Sequence, residues 1–88
     1  MSGAIVLLSD LPPRTPVAVT SVEDRHPNDV VARRLRELGF VAGEPVQVVA
    51  KGPLGGEPLL VQVGYTRFAL RRAEAARVRV QPAGTEAA

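Results

Sequence analysis

The stretch Arg33-Arg34-Leu35-Arg36-Glu37-Leu38-Gly39-Phe40-Val41-Ala42-Gly43-Glu44-Pro45-Val46-Gln47-Val48-Val49 changes its hydrophobic period halfway, and that change decides the fold. Before Gly39 the period is helical. Val31, Leu35 and Leu38 fall at i, i+4 and i+7 on one stripe, while Arg33, Arg36 and Glu37 point the other way. Upstream, Asn28 is the expected N-cap, with Asp29 behind it on the positive end of the helix. Asp29 and Arg33 also form an i,i+4 pair in the favourable order, worth about 0.2–0.5 kcal/mol. Gly39 ends the helix, because the left-handed backbone found there costs glycine little. Beyond Gly43-Glu44, the valines of residues 46–49 suit a strand over 45–50.

Working outward, residues 9–16 carry three prolines and read as a turn-rich lead-in. Val17–Val22 alternates as a strand and gives way to a polar stretch over 23–28. On the other side, residues 52–58 hold too many glycines and prolines for a regular element and read as an irregular loop. Strands are expected over 59–63 and 67–70, with Gly64-Tyr65 as the turn between them. A single helical turn is expected over 73–76. Residues 77–80 close the chain with valine inward and arginine outward. Residues 81–88 read as a flexible tail.

The sum is a mainly β domain of about five strands, with one short α-helix after the first strand. A chain this small gains by curling such a sheet into a closed or nearly closed barrel, because closure removes exposed edges. Residues 1–88 are expected to form one domain with its core over about 8–80. That core is expected from Val17, Val19, Val31, Leu35, Leu38, Val46, Val48, Val61, Phe68, Leu70, Val78 and Val80.

Composition removes several function classes. Hydrophobic residues make up 45% of the 88, enough for a folded globule. Cysteine is absent, which excludes disulfides, thiolate metal sites and a cysteine nucleophile, and favours the cytoplasm. The apolar run over residues 4–8 is too short for a signal peptide, and nothing reaches the ~20 apolar residues of a membrane span. A soluble protein without membrane insertion is expected. Catalysis finds no support: His26 is the only histidine and lies in a polar loop, and no serine has a nucleophile-elbow context. Nor does the glycine-rich loop cradle a phosphate, since no Lys-Ser/Thr follows it and its prolines remove donors.

Three binding chemistries remain. Glu23, Asp24 and His26 put carboxylates and an imidazole in one segment, ligand types suited to a divalent transition ion such as zinc or iron. A structural site normally takes four ligands, so water or a second chain would complete the shell, the latter giving a metal-bridged homodimer. No cofactor is required. Nucleic acid is the second chemistry. Arg67, Arg71, Arg72, Arg77 and Arg79 make a basic segment, but only Tyr65 and Phe68 lie near enough to stack on bases, and Phe68 fits the core. The third is protein recognition, through Leu54 at a loop tip, Tyr65 in a turn, and Arg33 and Arg36 on the outer helix face. Phe40 is better read as a core plug packing back on Leu35.

Residues 33–49 resemble the helix–glycine–strand signature of the FeoA family. Leu8-Ser9-Asp10-Leu11 resembles that family's opening. Gly52-Pro53-Leu54-Gly55, Glu57-Pro58-Leu59 and Phe68-Ala69-Leu70-Arg71-Arg72-Ala73-Glu74-Ala75 resemble its second half. The resemblance implies an SH3-like barrel. It also implies a small cytosolic accessory to FeoB, a ferrous iron transporter in the membrane with a cytosolic G domain. Similar domains occur fused to metal-dependent repressors, so a metal-sensing regulatory domain is the alternative the resemblance leaves open. Arg14 departs from the pattern, standing where the family often has glycine in its Leu-Pro-x-Gly turn.

Overall fold

The computed structural model describes residues 6–83. Its strands are β1 (Val6–Leu7), β2 (Val17–Val22), β3 (Pro45–Gly52), β4 (Gly56–Val63), β5 (Thr66–Leu70) and β6 (Val78–Pro82). Helix α1 (Val30–Leu38) joins β2 to β3, α2 (Arg72–Ala75) joins β5 to β6, and a 3-10 turn spans Leu8–Asp10. The strands make one sheet in the order β1-β6-β2-β3-β4-β5, antiparallel at every pairing. Register shifts between Val19 and Ser21 and between Val48 and Ala50 mark bulges, which bend a sheet and let it curl around a core. The barrel stays open at its seam, where β1 and β5 remain as edges.

Six strands replace the expected five because β1, two residues long, has no alternation to announce it. β6 also runs through Pro82, pairing Gln81 with Ala18 and Pro82 with Val17, so the expected tail is strand at its first two residues. Residues 84–88 of that tail lie outside the described residues. The expected irregular loop is a tight hairpin instead: β3 and β4 extend to Gly52 and Gly56, and Leu54 bridges to Glu57. Gly52 is needed there, because any Cβ would collide with the Glu57 carbonyl.

Nine of the twelve expected core residues are buried; Val31, Leu38 and Phe68 are half-buried against the cluster. The helix is rolled relative to expectation, resting on the sheet through Ala32 and Leu35 and leaving Val31 and Leu38 at the margin. Leu8, Leu11, Val22, Leu59, Val63 and Ala75 complete the core, together with Phe40, which plugs it as expected. Leu35→Ala should cost about 2–5 kcal/mol through lost burial and a cavity. Urea denaturation will read this as a lower midpoint, and an unchanged midpoint would refute the seating of α1.

The helix start differs in detail. Asp29, not Asn28, is the N-cap; its carboxylate accepts the N–H groups of Val31 at 3.1 Å and Ala32 at 3.2 Å. Asn28 precedes it with φ 59°, a left-handed position that asparagine tolerates better than most residues. Gly39 ends the helix in the left-handed region, as its position implies. Arg14, the departure from the family pattern, adopts φ 65° and donates its N–H to the Val48 carbonyl. The turn therefore keeps a glycine-type backbone with arginine in place.

Candidate functional site

Leu54 sits at the tip of the β3–β4 hairpin with 80% of its surface exposed. The tip is braced from below. Arg72, opening α2, donates Nη2 to the Gly55 carbonyl at 3.0 Å, Nη1 to the Ser9 carbonyl at 3.5 Å, and its own N–H to Glu57 Oε2 at 2.7 Å. One arginine thus fixes the hairpin against the 3-10 turn, and an apolar side chain is held out on a rigid stalk. Such an anchor loses little entropy on binding.

Tyr65 is fully exposed in the Gly64-Tyr65 turn at the other end of β4. Eight strand residues separate the two tips, roughly 26 Å at the usual strand rise. Leu54 and Tyr65 therefore cannot share one small contact patch. Arg33 is exposed, and none of the ion pairs among the described residues involves it. Arg36 is not free: its Nη2 donates to the Val22 carbonyl at 2.7 Å and to Asp24 Oδ1 at 3.1 Å.

Glu23, Asp24 and His26 do not come together. Among the described residues no three histidine, cysteine, aspartate or glutamate side chains are placed to hold a metal ion. Glu23 pairs with Arg79 at 3.4 Å, Asp24 pairs with Arg36, and His26 Nδ1 lies 3.1 Å from the Pro27 carbonyl. Sequence proximity put these groups in one segment, and distant arginines draw the carboxylates apart. The same pairings dissolve the expected basic strip. Arg77 turns inward to Asp29, Arg79 meets Glu23, and Arg72 holds the hairpin tip.

The most constrained polar group was not legible as such. Asp29 is buried, and its Oδ2 accepts from Arg77 Nε at 2.8 Å and from the Arg25 N–H at 2.8 Å. Arg77 also donates Nη1 to the Ala73 carbonyl at 2.8 Å, so the pair ties the start of α1 to the α2–β6 connection. The expected Asp29–Arg33 pair gives way to it. The Arg77 hydrogen bond, then that from the Arg25 N–H, hold the Asp29 carboxyl well below the usual carboxylate range against the opposing effect of burial. A depressed folded value means that the carboxylate stabilises the fold above the unfolded pKa of about 3.9 and loses that contribution as pH falls. The thermal midpoint should therefore drop as pH is lowered from about 5 toward 2. Asp29→Asn should lower the midpoint at pH 7 and flatten this acid limb; an equally steep limb in the variant would assign it to other carboxylates.

The FeoA domain model matches residues 6–82. A FeoA of Stenotrophomonas maltophilia, solved in complex with zinc and described as a prokaryotic SH3 domain protein, is 67% identical. That similarity covers 86% of this chain and 89% of that one, with a TM-score of 0.81. The FeoA protein of Chlorobium tepidum is 34% identical over 90% of this chain and 71% of its own, with a TM-score of 0.76. Iron(II) transport protein A of Clostridium thermocellum is 30% identical over 90% of this chain, at a TM-score of 0.76, but the match spans only 46% of that chain. No curated protein sequence matches. The family match over nearly all described residues, and the agreement of the open six-stranded barrel with these structures, make the chain an SH3-like member of the FeoA family.

Proposed function

We infer that the chain is a small accessory protein of ferrous iron transport, that it binds the cytosolic part of a FeoB-type membrane transporter, and that it is not an enzyme. Family membership supports the transport setting, and the S. maltophilia relative is described as a candidate ferrous iron transport activating factor. The observation that carries the binding role is the braced Leu54, a large apolar side chain left mostly exposed at the hairpin tip. Arg33 supplies free positive charge for an acidic partner, and Tyr65 reaches a different side of it. No helix among the described residues is long and apolar enough to cross a membrane.

Nucleic acid is the weaker reading, since most of the arginines of residues 67–79 are spent internally and Phe68 is half-buried beside Phe40. Among the described residues no group fits a resident metal ion: Glu23, Asp24 and His26 offer no converging set. An ion there would draw the rest of its shell from water or a second copy. Zinc calorimetry on wild type against His26→Ala decides this, and equal affinity would mean that the segment serves the fold alone.

Affinity capture from membrane extract, run beside a DNA and RNA gel shift, tests the main reading. The transporter should be retained and nucleic acid should not shift. A shift at physiological salt with no transporter retained would overturn it.

A further inference from the structure

We propose that the open edge of β5 and the groove beside it take an extended, acidic segment of a partner protein as an added strand. The inference rests on the partner-binding reading above but concerns a different surface. β5 is hydrogen-bonded on one side only, to β4. Val63 and Thr66 flank the two-residue turn, so antiparallel alternation commits Thr66, Phe68 and Leu70 to β4. The N–H and C=O groups of Arg67 and Ala69 then point off the sheet, two residues apart, the spacing at which an incoming strand pairs.

A groove of about 340 Å³ runs between this edge and α1. Val30, Val31, Arg34 and Leu38 line it from the helix, Phe68 and Ala69 from the strand. The roll of α1 creates this space: the helix buries Ala32 and Leu35 and leaves Val30 exposed and Val31 and Leu38 only half-covered. An added strand would set alternate apolar side chains into the groove while its backbone bonds to Arg67 and Ala69.

Charge selects the occupant. Arg34 lines the groove, and Arg67 and Arg71 flank Ala69; none of the ion pairs among the described residues involves any of the three. The one carboxylate lining the groove, Glu74, already accepts the Arg71 N–H at 2.8 Å. A second copy pairing edge to edge would bring arginine against arginine, which is unfavourable. An extended segment alternating acidic and apolar residues answers both the edge and the charge.

The test is amide NMR of the intact chain titrated with a capped octapeptide alternating glutamate and valine, and with its lysine–valine counterpart. The glutamate peptide should shift the amides of Arg67, Ala69, Arg34 and Leu38, and should slow hydrogen exchange at Arg67 and Ala69. Arg34→Glu should weaken it at least tenfold, with the spectrum away from the groove unchanged. Equal binding of both peptides, shifts centred elsewhere, no shift at millimolar peptide, or self-association through β5 would each overturn the proposal. Transporter binding lost while this peptide still binds would refute the functional reading and leave the groove's chemistry standing.

Discussion

Phe40→Ala should lower the folding free energy by about 3–5 kcal/mol, the usual cost of emptying an aromatic core site. Phe40 is 1% exposed and is among the largest fully buried side chains. It follows Gly39 directly, donates its N–H to the Leu35 carbonyl at 3.1 Å, and sets its ring 6.3 Å from that of Phe68. The ring thus links the helix end to the edge strand. Small domains have only about 5–15 kcal/mol to lose, so the variant should stand close to unfolding at 37 °C. Urea denaturation should show a much lower midpoint with an unchanged slope. A loss below about 1 kcal/mol would mean that the neighbours close the hole and that Phe40 is no plug.

Leu54→Asp should have the opposite profile: little effect on stability and a large effect on binding. The side chain is mostly in water already, so a carboxylate there disturbs no core contact. In a bound state the same carboxylate would lie in the partner's apolar pocket without a counter-charge. A central anchor is worth at least about 2 kcal/mol, so the affinity for the transporter should fall on the order of tenfold or more. Equal affinity in the variant would move the anchor elsewhere.

Local patterns carried most of the fold. Alternating valines point to β2, and a 3.6-residue stripe closed by Gly39 points to the existence and end of α1, though not to its cap or its buried face. What escaped depended on distant partners. Asn28 and Asp29 are equally good caps by type, and the choice falls to Asp29 because Arg77, 48 residues away, reaches its carboxylate. Asp24 and Glu23 looked like ligands beside His26 until Arg36 and Arg79 were placed against them. Leu54 and Tyr65 both read as apolar residues in turns, but only the length of β4 shows that they lie at opposite ends of that strand. The groove beside β5 has no local signature, since it comes from the roll of α1 on the sheet.

The purified cytosolic part of a FeoB-type transporter, titrated with this chain at about 0.1 M and 1 M salt, decides whether the chain is a transporter-binding protein. Saturable binding is expected, weakened at least tenfold by Leu54→Asp. Binding should also weaken at the higher salt, as the screening length falls from ~10 Å to ~3 Å and Arg33 and its neighbours lose their reach. Absence of binding between two folded partners at the lower salt would contradict the transporter-binding reading.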